Sequence, residues 1–227
     1  MKKIFQTFML LLFPLLFIAG CSIPTPVKNI ADTAELSQAL AEEECSIVFG
    51  RIKWIEDGKV MKLGDGILPL PFVSPHLTKM DDKAYIVGKV QEDGVFIWSL
   101  KTGTYMMHKI RYRDPWTGEN FVVPKVAFRV PEKGNIFYVG TLKGEFEPNR
   151  WKGFWTGSLG NVTFSIQDEC DTDCVNFQNK LNIESEKIKK SIMIIDPRLP
   201  RSIETMEEYR LAIGILNVIL GGMSLSH

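Results

Sequence analysis

The stretch KAYIVGKVQEDGVFIWSL, residues 83–100, sets the reading of this chain. Two short runs rich in β-branched and aromatic residues flank Asp93-Gly94, a pair that tolerates the positive φ of a tight reversal. The pattern predicts strands over 83–90 and 95–100 joined by a hairpin. Similar runs extend outward in both directions, at 47–55, 60–63, 104–112, 121–130, 135–142 and 161–167, and a second pair, Asp57-Gly58, sits between two of them. Many short strands separated by turn signals predict a mainly β chain whose core, residues 45–167, is a single antiparallel β-sandwich.

Three of the runs place a glycine inside an apolar strand: Phe49-Gly50-Arg51-Ile52, Val87-Gly88-Lys89-Val90 and Val139-Gly140-Thr141-Leu142. Glycine there marks a bulge or a close backbone approach, so the echo reads as shared strand geometry within one sheet fold and not as a solenoid repeat. The segment Gly94-Val95-Phe96-Ile97-Trp98-Ser99-Leu100-Lys101-Thr102-Gly103-Thr104-Tyr105 resembles the G-x-F-x-x-x-L-x-x-G-x-Y pattern of prealbumin-like modules, the carboxypeptidase-regulatory-like group. Asn135-Ile136-Phe137-Tyr138-Val139-Gly140 resembles the late strand of its lipoprotein members, and Thr102 stands where a proline often precedes the glycine. The resemblance implies a prealbumin/Ig-like sandwich that supports or binds and does not catalyse; fold likeness alone assigns no reaction.

At the other end of the chain, Lys2 and Lys3 precede an apolar stretch, 8–19, interrupted by Pro14. That length suits a signal h-region and is too short for a spanning helix, which takes about 20 apolar residues. The stretch ends Ile18-Ala19-Gly20-Cys21, which resembles the lipobox of bacterial lipoproteins. The resemblance implies that residues 1–20 are removed and that Cys21 carries a diacylglyceryl group on its sulfur, so membrane lipid is the first expected partner. Stable anchoring takes more than one acyl chain. Ser22, being other than Asp, implies by the same likeness an outer-membrane location facing the periplasm. Removing 1–20 takes away two of 27 basic residues and none of 27 acidic ones, leaving a formal charge of −2. No nucleic-acid partner is expected without a basic face.

Residues 21–44 read as a lipidated tether with Pro24 and Pro26, followed by a short helix that Asp32-Thr33-Ala34-Glu35 opens. Residues 168–227 read as a C-terminal extension with helices: a strand-like run at 192–195, then a helix over 203–220 with Ser202 as N-cap and Gly221-Gly222 as stop. Because 211–220 is apolar on nearly every side, that helix is expected to be buried across the sandwich; the alternative is docking to a partner or to a membrane surface.

With Cys21 acylated, Cys45, Cys170 and Cys174 remain as disulfide candidates in an oxidising compartment. A bridge from Cys170 or Cys174, to its neighbour or to Cys45, is expected, with one thiol left over. Asp168-Glu169-Cys170-Asp171-Thr172-Asp173-Cys174 lacks calcium spacing, and His76, His108 and His227 lie too far off in sequence to complete a zinc site. No metal or cofactor is therefore expected. The acids read as solvating a loop, with Asp171 or Asp173 opening a helix.

No constellation for catalysis stands out: Gly157-Ser158-Leu159-Gly160 lacks nucleophile-elbow spacing, and His108 falls inside a strand. Binding has support from aromatics in loop contexts, Trp116, Trp151 and Trp155, which suit stacking on a sugar or anchoring a protein, although turn-spanning Trp residues more often cap the ends of a sandwich core. The leading expectation is a non-catalytic envelope lipoprotein that supports or binds another envelope component, either a protein or a cell-wall glycan. The alternatives are a subunit of a membrane-bound assembly docking through its C-terminal helix, and an envelope hydrolase whose cleft gathers carboxylates or His108.

Overall fold

The structure is a computed structural model and describes residues 24–42, 44–64, 70–114, 118–146, 150–151, 154–155 and 161–221. It is mainly β, built on two mixed sheets of seven strands each. Sheet I runs β1 (Thr25–Pro26), β6 (Tyr85–Val87), β5 (Phe72–Lys79), β8 (Gly103–Asp114), β10 (Val126–Val130), β16 (Ile194–Ile195), with β9 (Gly118–Val122) turned back on β8. Sheet II runs β14 (Val162–Gln167), β11 (Ile136–Phe146), β3 (Cys45–Glu56), β7 (Val95–Lys101), β2 (Lys28–Asn29); β15 (Ile188–Lys190) lies beside β11 and β4 (Lys59–Val60) beside β3. A separate two-stranded hairpin joins β12 (Arg150–Trp151) and β13 (Phe154–Trp155).

The sheets face one another across a single apolar layer. Val48, Ile52 and Trp54 of β3, Phe96 and Trp98 of β7, and Phe137 and Leu142 of β11 meet Leu77 of β5, Tyr105, Ile110 and Tyr112 of β8, and Phe128 of β10. The outer face of sheet II is covered by α1 (Thr33–Ala41) and α2 (Cys170–Leu181), through Leu36, Ala39, Phe177 and Leu181. The rings of Phe49 and Phe177 stack there, 3.8 Å apart. The outer face of sheet I is covered by α3 (Met206–Ile219), whose Ala212 and Leu216 pack on Met80, Met106, Ala127 and Leu199. Strands covered on both faces lose the alternation of a half-exposed sheet. β11 is buried almost throughout and β3 over residues 46–50, whereas β14 alternates residue by residue.

Several expectations are corrected. The sheets are not purely antiparallel, because β11 lies parallel to β3 and to β15, and β1 lies parallel to β6. A parallel pair needs a long crossover, and the chain between β3 and β11 supplies one by passing through sheet I. Asp57-Gly58, both at positive φ, does turn β3 back into β4. Asp93-Gly94 does not join paired strands: it links β6 of sheet I to β7 of sheet II. The run at 121–130 is two strands, since Pro124 has no N–H and Lys125 sits at φ 53°. β5 was hidden by Pro75, which the sheet accommodates next to a register shift at His76/Leu77.

The segment read as a tether is part of the body: β1 and β2 pair with the edges of the two sheets, and Val27 and Ile30 are buried. The C-terminal extension is likewise interleaved, through β15 in one sheet and β16 in the other. Asp32 caps α1 by accepting from the Glu35 N–H at 2.9 Å. The cap of α3 is Thr205 and not Ser202: Thr205 and Glu208 form a reciprocal capping box, and the Ser202 hydroxyl instead donates to Glu208 at 2.8 Å. Among the described residues, no helix is long and apolar enough to cross a membrane.

Candidate functional site

A strand presents successive side chains to opposite faces, so neighbours in sequence do not normally share a site. β8 breaks that rule. Met107 pairs with Leu77 and Lys109 with His76, leaving His108 as the extra residue of a bulge. The consequence is visible in the core, where Tyr105 and Met107 point inward before the bulge and Ile110 and Tyr112 after it. His108 and Lys109 together line one cleft on the outer side of sheet I, the re-aiming that bulges commonly accomplish.

The cleft has a volume of about 700 Å³. Its floor is Thr78, Tyr85, His108 and Lys109; its other wall is the segment from Arg201 to Thr205 with Tyr209 of α3. Tyr209 is fixed by its hydroxyl, which donates to the Met80 carbonyl, and Lys83 lies 4.2 Å from the centre of its ring. The Tyr85 and His108 rings are tilted together with centres 5.5 Å apart, and Thr78 Oγ1 is 3.4 Å from His108 Nδ1. Behind Tyr85 sits His76, 9 % exposed, whose Nδ1 is 2.5 Å from the Tyr85 hydroxyl and whose Nε2 is buried without a partner among the described residues.

Burial holds both histidines at about 4, with the nearby Lys109 adding to the effect on each. Both imidazoles are therefore neutral at neutral pH. If Tyr85 donated to His76 Nδ1, an N–H at Nε2 would be buried with no acceptor, the rarer kind of orphan. Donation from Nδ1–H to the Tyr85 oxygen would leave only a lone pair unpaired, and in that tautomer the Tyr85 proton is free for a group in the cleft. Burial, and secondarily the Glu204 carboxylate, push the Tyr85 hydroxyl above its ordinary range, so it remains a donor.

The acidic stretch around Cys170 forms a second polar cluster. Cys170 and Cys174 are joined by a disulfide within α2, and Cys45 is a free thiol. The acids do not merely solvate a loop: Asp168 pairs with Lys190, Glu169 with Lys53 and Lys143, and Asp173 with Arg51. Buried Asp173 also accepts from Thr141 at 2.8 Å and Tyr138 at 3.3 Å. A second bulge makes this possible, since the register of β11 shifts between Tyr138 and Thr141 around Gly140, whose φ is 94°. Gly50 opposite has no room for a side chain, because a Cβ there would stand 2.5 Å from the Gly140 carbonyl oxygen. The cluster pins α2 to sheet II. Among the described residues, no group of three acidic, His or Cys side chains is placed to hold a metal.

Cys21 and Trp116 lie outside the described residues. Trp151 and Trp155 fall on the β12–β13 hairpin, where Trp155 pairs with Arg150 and Trp151 with Phe154; only their backbone positions are described. Sequence reasoning missed Tyr85, Lys83, Lys109 and the 201–205 wall, and it set His108 aside. The available signal was the phase of β8, where inward Tyr105 and Met107 are followed by Ile110 and Tyr112 at a spacing broken by one residue.

No protein-family model matches the chain, and comparison with curated proteins finds none that is similar. Among solved structures, the dioxygenase domain of a dioxygenase carbohydrate-binding protein fusion from Streptomyces sp. SirexAA-E is similar at 11 % identity and a TM-score of 0.28, over 57 % of this chain and 95 % of that one. A likeness that slight carries no argument about this chain.

Proposed function

We propose that the chain is a lipid-anchored, non-catalytic protein of the cell envelope, whose prealbumin-like sandwich binds another envelope component. Anchoring rests on the lipobox-like Ile18-Ala19-Gly20-Cys21, and the outer-membrane location on Ser22. The observation that carries the binding reading is the cleft of about 700 Å³ on sheet I, within the ~300–1,000 Å³ range usual for ligand sites. Its chemistry favours holding over turnover. The Ser202 and Thr205 hydroxyls are both committed to Glu208, and Glu204 is the one carboxylate among the described lining residues. Crosslinking in native membranes tests this reading. The wild-type chain is expected to retain a defined envelope protein or cell-wall glycan that a Tyr85→Ala/His108→Ala variant loses; equal retention by both, or no capture at all, counts against it.

A second reading, docking to a membrane-bound assembly through α3, is favoured by Leu211 and Val218, which are 53 % and 74 % exposed on the helix side away from the sheet. A Leu211→Ser/Val218→Ser variant would then lose the captured partner while keeping its thermal stability.

A further inference from the structure

The cleft is unevenly charged. Lys83, Lys109 and Arg201 line it against Glu204, the one carboxylate among the described lining residues. None of the three cations has a carboxylate within ion-pair distance among the described residues. Lys83 instead donates to the Met206 sulfur at 2.8 Å and sits over the Tyr209 ring, and Lys109 sits 4.5 Å over the Phe121 ring. Elsewhere the chain readily pairs such groups: Lys28 with Glu42, Lys53 with Glu169, Lys101 with Glu44 and Arg111 with Glu119. Several unpaired cations facing one cavity attract anions from solution and focus the field there.

The remaining lining specifies more than charge. With His76 carrying its proton on Nδ1, the tautomer that its buried Nε2 favours, the Tyr85 hydroxyl proton is available to an acceptor in the cleft. Tyr85, Tyr209, His108, Val123 and Ile203 supply ring and aliphatic surface for an uncharged body attached to the anionic group. Resting on the reading of this cleft as a binding site, we infer that it takes a small organic anion, a carboxylate or phosphate carried on a ring. Lys83, Lys109 and Arg201 neutralise the anion, and Tyr85 donates to it. A phosphate meets the same three cations as a carboxylate does, and charge-assisted hydrogen bonds strengthen both.

Calorimetric titration of the full-length chain in detergent tests this with phenyl phosphate, benzoate, benzyl alcohol and N-acetylglucosamine as probes. Phenyl phosphate or benzoate is expected to bind at least about tenfold more tightly than benzyl alcohol, and raising salt should weaken only the anions. A Lys83→Gln/Lys109→Gln/Arg201→Gln variant should lose about tenfold or more in anion affinity, and Tyr85→Phe severalfold, since charged partners are the stronger hydrogen bonds. Lys59→Gln/Lys133→Gln, which removes exposed cations remote from the cleft, should change neither. Anion binding that ignores the triple substitution, or that falls equally with the remote pair, overturns the assignment. Binding of N-acetylglucosamine or benzyl alcohol without the anions overturns the ligand class and leaves the cleft as a binding site. Silence from all four overturns the small-anion assignment, while the binding reading stands or falls with the crosslinking.

Discussion

His76 and His108 show how one residue's surroundings govern its chemistry. Each would titrate near 6.5 in an unfolded chain, and each is held at about 4 in the fold, chiefly by burial. Between those values the unfolded chain binds more protons than the folded one, so stability is full above pH 6.5 and declines as pH falls toward 4. The two histidines should accordingly contribute an uptake of about 1.5 protons on unfolding near pH 4.5, seen as a falling denaturation midpoint from pH 7 to 4.5. A His76→Gln/His108→Gln variant should flatten that slope. Carboxylates held below their ordinary range by hydrogen bonds and cations, Glu42, Glu44, Glu169 and Glu208 among them, add a loss of the same sign at the acid end of this window. Asp196, held at about 2 by Arg198, adds its own mainly below it. None of this was legible from His108 as a letter in an apolar run. Its placement depends on the bulge, which register data reveal and strand propensity does not.

Elements in this fold are held as much by polar pins as by apolar faces. α2 carries Phe177 and Leu181 into the apolar layer on sheet II, but its first turn is tied down by Asp173, which meets Arg51, Thr141 and Tyr138. Truncating one partner of a buried ion pair strands the other, so Asp173→Ala should cost about 3 kcal/mol in chemical denaturation. α3 is set by a capping box in place of the Ser202 cap that sequence spacing indicated. Thr205→Ala removes one half of that box and should cost about 1 kcal/mol, a fall of about 2–4 °C in Tm for a chain of this size. Strand existence could be read from the apolar runs, and helix α1 from Asp32 and Glu35. Partner identity could not, because pairing between β3 and β11 joins residues from distant parts of the chain, and no local pattern encodes which strands meet. β5 stayed hidden for the opposite reason: its Pro75 is locally disfavoured and is tolerated only through the neighbouring irregularity in register.

At the scale of the whole molecule, four layers succeed one another: α3, sheet I, sheet II, and the pair α1 and α2. The mainly β composition was legible throughout the strand runs, while the layer of α1 and α2 outside sheet II explains why residues 47–49 of β3 and 136–139 of β11 are apolar on both faces. The described chain begins at Pro24 and enters sheet I at Thr25, so a lipid on Cys21 would hold the body close to the membrane with only a few residues between. The proposed lipid attachment is central, since the envelope setting and the kinds of partner follow from it. Mass spectrometry of the N-terminal peptide from the chain purified out of membranes tests it most directly. The account predicts a peptide that begins at Cys21 and carries acyl chains, and that is absent when Cys21→Ala is expressed. A peptide beginning at Met1, or one beginning after residue 20 without added lipid, would contradict it.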